Sequence, residues 1–289
     1  MKYNRRYFLK IAGTASAGLA FHSISNNAFA EEVLGGKRHA FGLQLYTLRD
    51  DLPHNPKGIL KQVATAGYKQ VESYEGPQGM FWGMNNKEFK KYLDGLGMKI
   101  ISSHCDINKD FEKKIEQAAA IGMKYLICPW LGPQKSLDDF KKFAEQFNKC
   151  GGLCRKAGIK FAYHNHAYSF SLLEGGYPQD VLMKGTDASL VDFEMDIYWV
   201  ITAGQDPLAW VKKYPDRFKL CHIKDRLANT TDESASCTLG TGIINYASIL
   251  PIIKKQGMQY FVVEQERYDG TTPLQAIRDN AAFMRKIKF

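Results

Sequence analysis

Four short strings in the second half of the sequence carry side chains that bind metals or move protons. They are Tyr163-His164-Asn165-His166, Glu194-Met195-Asp196, His222-Ile223-Lys224-Asp225 and Glu264-Gln265-Glu266. Each closes a short apolar run that reads as a β-strand. Imidazoles and carboxylates at successive strand ends are the ingredients of one mixed nitrogen/oxygen site assembled by the fold. Such a site activates an oxygen next to a proton-transferring group, which is enzyme chemistry.

Alternation along a strand decides which side chains share a face. Ala162, His164 and His166 fall together, as do Asp192, Glu194 and Asp196; His222 pairs with Lys224, and Glu264 with Glu266. Burying this many ionisable groups is costly unless a cation or mutual pairing offsets it. A divalent ion held by His164, Asp196, His222 and Glu264 is the simplest solution. Two imidazoles and two carboxylates suit Mn²⁺, Co²⁺ or Zn²⁺ better than Ca²⁺.

The elements that must position these residues alternate in type along the chain. Strand-like runs lie at 41–48, 69–74, 99–104, 125–128, 160–164, 190–195, 218–223 and 259–263. Helix-like runs lie between them, near 57–66, 87–96, 111–121, 137–156, 179–183, 207–213 and 246–255, with a last one at 273–287. Gly67, Gly97, Gly122, Gly158 and Gly257 follow helical runs, as left-handed C-caps do. Regular βα alternation predicts a parallel sheet with right-handed crossovers, and eight units in this length predict a closed (β/α)8 TIM barrel. An open doubly wound sheet is the alternative, but no Gly-x-Gly-x-x-Gly turn follows any strand. The irregular stretch from Leu227 to Gly242 is the expected active-site lid.

With these strings in place, the chain resembles the xylose isomerase-like TIM-barrel family of sugar isomerases and epimerases. The resemblance spans the whole chain after residue 30 and includes Phe261-Val-Val-Glu-Gln265 besides the four strings. It implies one divalent metal, held by an acid on strand five, Asp on strand six, His on strand seven and Glu on strand eight. That pattern carries over to Asp196, His222 and Glu264. On strand five, His164 stands where the epimerases place a metal-binding glutamate. Those epimerases move a proton between two opposed glutamates, a symmetry this chain lacks. His164 is then read as the ligand and His166 as the base, with the reverse assignment open.

The resemblance further implies isomerase or epimerase chemistry on a sugar or keto-sugar through an enediolate. His166 or Glu264 would remove the α-proton, and Lys224 would hold an oxyanion or a substrate hydroxyl. The alternative on the same scaffold is a lyase that cleaves 3-keto-glycosides by β-elimination. A non-catalytic sugar-binding protein is the third reading. His104, Glu72, Trp130 and Tyr46 are the expected sugar contacts. Each also has a plainer reading, as a polar strand end or a core aromatic.

The first thirty residues are expected to be removed. Asn4-Arg5-Arg6-Tyr7-Phe8-Leu9-Lys10 resembles a twin-arginine export signal, and Ala28-Phe29-Ala30 matches a cleavage site. The expected domains are therefore an export signal at 1–30 and a barrel at 31–289, in a periplasmic protein. The weakly apolar run from Ile11 to about Ile24 is too short and too polar for a stable membrane span. The signal contains four basic residues and no acid, so the formal +9 falls to +5 without it. No long Lys/Arg run accompanies that excess, which argues against nucleic-acid partners. An endonuclease IV-type nuclease shares the barrel but needs a larger, histidine-rich trinuclear site. Six cysteines in 289 residues are too few for a disulfide scaffold. Cys150 and Cys154, one helical turn apart, are read as free thiols. The expected partner is a small carbohydrate, with the oligomeric state open.

Overall fold

The computed structural model describes residues 39–289. The export signal read at 1–30 lies outside the described residues. Eight short strands, β1 (Gly42–Gln44), β2 (Gln70–Tyr74), β3 (Lys99–His104), β4 (Tyr125–Cys128), β5 (Lys160–His164), β6 (Val191–Asp196), β7 (Phe218–Ile223) and β8 (Tyr260–Val263), pair in parallel. Each lies beside its sequence neighbours, and β8 returns to β1 to close the barrel. A closed ring leaves no unpaired sheet edge.

Alternate strand residues divide between two apolar layers. Leu126 and Cys128, Phe161 and Tyr163, Phe193 and Met195, and Phe261 and Val263 belong to the large core under the helices. Their neighbours Tyr125, Ile127, Ala162 and Leu220 form a small cluster within the barrel. The charged residues of β5 to β7 share that inward face. Register then brings them level: His164 pairs with Glu194, and Asp196 with His222.

The helices are α1 (Pro56–Ala66), α2 (Asn86–Gly95), α3 (Phe111–Ala119), α4 (Leu137–Lys156), α5 (Pro178–Gly185), α6 (Ile197–Thr202), α7 (Pro207–Lys213), α8 (Tyr246–Lys255) and α9 (Pro273–Lys286). Local sequence sets their ends. Asn85 and Glu88 form a capping box at the start of α2. Gly67 closes α1 at φ +106°, a conformation that side-chain-bearing residues rarely adopt.

Three local expectations change. The first strand stops at Gln44, whose side chain accepts the Tyr46 N–H and turns Leu45–Leu48 into a 3₁₀ helix. Helix α6 follows β6 directly because Asp196 caps it, accepting the Trp199 N–H at 3.2 Å. Its apolar, β-branched sequence disguised it. The stretch after β7 is not a free lid. Asp225–Arg226 pairs antiparallel with Ser236–Cys237. The Asp225 carboxylate accepts the backbone N–H groups of Arg226, Gly240, Gly242 and Ile244. Ala235, Ser236, Cys237 and Leu239 are buried. All six cysteines are free and buried. Among the described residues, no helix is long and apolar enough to cross a membrane.

Candidate active site

The C-terminal strand ends converge on one buried cluster. His164 Nε2 lies 3.2 Å from His222 Nδ1 and 3.5 Å from Asp196 Oδ2. His222 Nδ1 lies 3.7 Å from Asp196 Oδ2 and 3.2 Å from Glu264 Oε2. Donors held ~2.0–2.2 Å from one ion stand roughly 3–3.5 Å apart, so these spacings suit a shared cation. Asp196 divides its carboxylate: Oδ1 caps α6, while buried Oδ2 accepts no well-directed hydrogen bond. Lys224 Nζ does stand 2.9 Å from that oxygen, as an ion pair. The donor set fits a divalent metal.

A second acidic set lies deeper and shares His222. His222 Nε2 contacts Glu72 Oε1 at 2.6 Å and Glu194 Oε2 at 3.4 Å. His104 Nε2 reaches the same two acids at 3.2 and 2.9 Å. Glu72 also accepts from Gln44 Nε2 (2.8 Å) and Ser102 Oγ (2.5 Å). Its donors could also hold a metal. Glu72, Glu194, Asp196 and His222 are all fully buried, while His104 of the deeper set and His164 and Glu264 of the other line the open cavity. His164, Asp196 and His222 form the other group close enough to share one ion, with Glu264 beside it.

The charges explain one another. Burial alone would raise the Glu72 carboxyl and lower His104. Their mutual attraction reverses both, holding Glu72 well below the usual carboxylate range and pushing His104 up to about 9. Glu194 keeps the direction burial gives it, reinforced by Glu72, and rises to about 7. His164 is lowered to about 4 by burial and the neighbouring His222, and His166 to about 2 by burial and His164. Both are neutral imidazoles. Burial would discharge Lys224, but Asp196, Glu264 and Glu266 keep it a cation.

A cavity of about 490 Å³ opens over this cluster. His104, His164, His166, Glu264, Trp130 and Tyr46, all named from sequence, line it. Trp130 is 54% exposed and meets His166 edge to face at 4.5 Å. Tyr46 stands against Tyr74 in the same wall. Glu72 is a correction. Expected to touch sugar, it sits beneath His104 and His222, spent on four side chains and absent from the cavity wall. Lys224 is likewise buried, bound to Asp196, Glu264 and Glu266 at 2.7–2.9 Å, so it reaches substrate only through them.

Sequence reasoning did not select Glu194, Gln44 or Ser102, which hold the histidine pair from below. Glu194 had a readable signal, since it shares a strand face with Asp196. Gln44 and Ser102 had none.

Eight parallel strands with metal-competent residues at their C-terminal ends define a TIM-barrel enzyme class. Residues 60–287 match the xylose isomerase-like TIM barrel family, and the chain belongs to it. It is 23% identical over 264 residues to an inosose dehydratase of Lacticaseibacillus casei, covering 76% of this chain and 86% of that protein. A sugar phosphate isomerase/epimerase structure from Parabacteroides distasonis superposes with a TM-score of 0.75 at 29% identity, covering 88% of this chain and all of that one. The IolI protein with a bound zinc atom shares the fold, with a TM-score of 0.69 at 15% identity over 86% of this chain and 96% of that one. The family is one of enzymes, and its members here include both lyase and isomerase types.

Proposed function

We propose that this protein is a divalent-metal-dependent lyase that eliminates a β-substituent from a keto-sugar. The carrying observation is the asymmetry of the cavity wall. Each of its three glutamates is tied to a lysine: Glu75 to Lys114 at 2.6 Å, and Glu264 and Glu266 to Lys224 at 2.9 and 2.7 Å. His166 lines the cavity, and its buried Nδ1 has no hydrogen-bond partner. Epimerisation needs proton-transfer groups on both faces of the reacting carbon, whereas elimination can proceed with one.

His164, Asp196, His222 and Glu264 would hold the metal. When bound, the ion supplies Lewis-acid polarisation of the substrate's carbonyl. His166 takes the proton from the carbon beside that carbonyl, the electron pair forms a C=C bond, and the β C–O bond breaks. The proton is then available to the departing oxygen. Trp130 and Tyr46 offer faces for the sugar ring. Lys224 holds Asp196 and Glu264 in place and balances their charge. The inosose dehydratase relatives support this reading, because their named reaction is an elimination.

The isomerase/epimerase reading keeps support from the Parabacteroides distasonis structure. A sugar phosphate suits this cavity poorly. Lys109 is the only lysine or arginine lining it among the described residues, against four carboxylates in the same lining, Glu75, Asp106, Glu264 and Glu266. Unphosphorylated keto-sugars fit better.

The test is incubation of metal-loaded protein with keto-glycosides and keto-polyols in D₂O. A lyase releases the leaving group and a conjugated, ultraviolet-absorbing enone. Deuterium uptake with no leaving group released would establish epimerase or isomerase chemistry instead. Export is proposed as well, from the Arg5-Arg6 motif. N-terminal sequencing of periplasmic protein should begin at Glu31, and a cytoplasmic protein starting at Met1 would sink that part.

A further inference from the structure

A second cavity of about 350 Å³ adjoins the first and is lined in part by the same residues. Cys105, Asp106, Pro129 and Trp130 line both. Beyond Trp130 the lining is mostly apolar, with Ile107, Cys128, Leu131 and Phe143. Its polar lining includes Asn108 and Gln146, and Gln146 Nε2 donates to Asn108 Oδ1 at 2.7 Å, linking α4 to the loop after β3. Each cavity is within the ~300–1,000 Å³ typical of ligand sites.

We propose that this second cavity is a leaving-group subsite that takes an apolar, preferably aromatic, alcohol attached to the keto-sugar. The proposal rests on the lyase reading for its chemistry. A dehydratase that expels water needs no apolar chamber beside its sugar cavity. An enzyme that expels an aryl or terpenoid alcohol does. Trp130 lines both cavities, and its ring meets His166 edge to face on the side of the first, so it stands between the proton-carrying residue and the second cavity. The step balances without another reactant. The α C–H bond breaks, its proton passes through His166 to the leaving oxygen, the C=C bond forms and the C–O bond breaks. The products are an unsaturated keto-sugar and a neutral alcohol.

Two independent measurements test it. The first compares kcat/KM for aryl and methyl 3-keto-glucosides in the wild type and in Gln146→Trp, which fills the chamber from the helix surface. Phe143→Ala, which enlarges it, is the second variant should the first fail to fold. The wild type should prefer the aryl substrate at least tenfold, and that ratio should fall at least tenfold in Gln146→Trp. An unchanged ratio overturns the subsite. The second measurement follows tryptophan emission during titration with phenol, with Trp130→Phe assigning the signal. Saturable perturbation in the wild type that is lost in Gln146→Phe, which fills the cavity without adding an indole, supports the subsite, and no perturbation overturns it. Should neither glycoside be cleaved, the lyase reading falls, while the phenol titration still decides whether the chamber binds aromatic alcohols.

Discussion

His222 Nε2 lies 2.6 Å from Glu72 Oε1, and this bond orients the histidine within the buried cluster. Glu72 is held ionised, so it can only accept, and Nε2 must carry the proton. Nδ1 is thereby turned toward His164, Asp196 and Glu264, and in the proposed site it would offer its lone pair to the cation. A carboxylate behind a ligating histidine is how proteins fix its tautomer and raise its basicity.

Glu72→Gln should therefore weaken metal binding about 10–100-fold without unfolding the barrel. Competition with a chelating dye measures the affinity, and circular dichroism checks the fold. An unchanged affinity would show that Glu72 does not position His222.

Metal binding should release protons. Burial works against a charged His222, but Glu194, Glu264 and Asp196 raise its pKa well above the ordinary imidazole value. A raised pKa means that protons compete with the cation at Nδ1, so affinity rises with pH and falls as the solution is acidified. Calorimetric titrations of Mn²⁺ or Zn²⁺ in buffers of different ionisation enthalpy count the protons. Chelator treatment should abolish turnover, and Mn²⁺, Co²⁺ or Zn²⁺ should restore it.

His166→Asn should lower kcat by about 10²–10⁴-fold, the usual contribution of a positioned proton-transfer group, while changing metal content little. Loss of the metal in this variant would instead assign ligation to His166, the reverse of the arrangement proposed. Steady-state kinetics with elemental analysis separates the two.

Trp130→Ala should act on substrate binding. An aromatic face is worth about 0.5–1.5 kcal/mol beyond the area it covers, or roughly two- to tenfold in KM. Trp130 is half exposed at the cavity rim, so the variant should keep its melting temperature. A drop in kcat with constant KM would place Trp130 in the chemical step instead.

Asp225→Ala should lower stability by about 3 kcal/mol or more, because four backbone N–H groups lose one buried acceptor. Urea denaturation reads this loss. Asp225 is a residue of the His222-Ile-Lys-Asp225 string whose part is to hold the loop, and its carboxylate does not reach the cavity.

The strand and helix order was legible because each element carries its own period and its own cap. Capping residues such as Asn85, Glu88 and Gly67 act over a few bonds, so they can be read locally. The residue types at the strand ends named a metal-competent site for the same reason: alternation along one strand assigns His164, Asp196 and His222 to the inward face. Other features depend on residues far apart in the chain. Barrel closure and register decide that Glu72, 150 positions before His222, lies behind its Nε2 rather than against a sugar. The same closure ties Lys224 to Glu264 across β7 and β8, a pairing that neither strand's own sequence announces. Chain alternation thus determined which chemistry the residues could perform, and tertiary packing determined which of them remain free to perform it, because pairing and burial are properties of neighbours that the sequence does not place side by side.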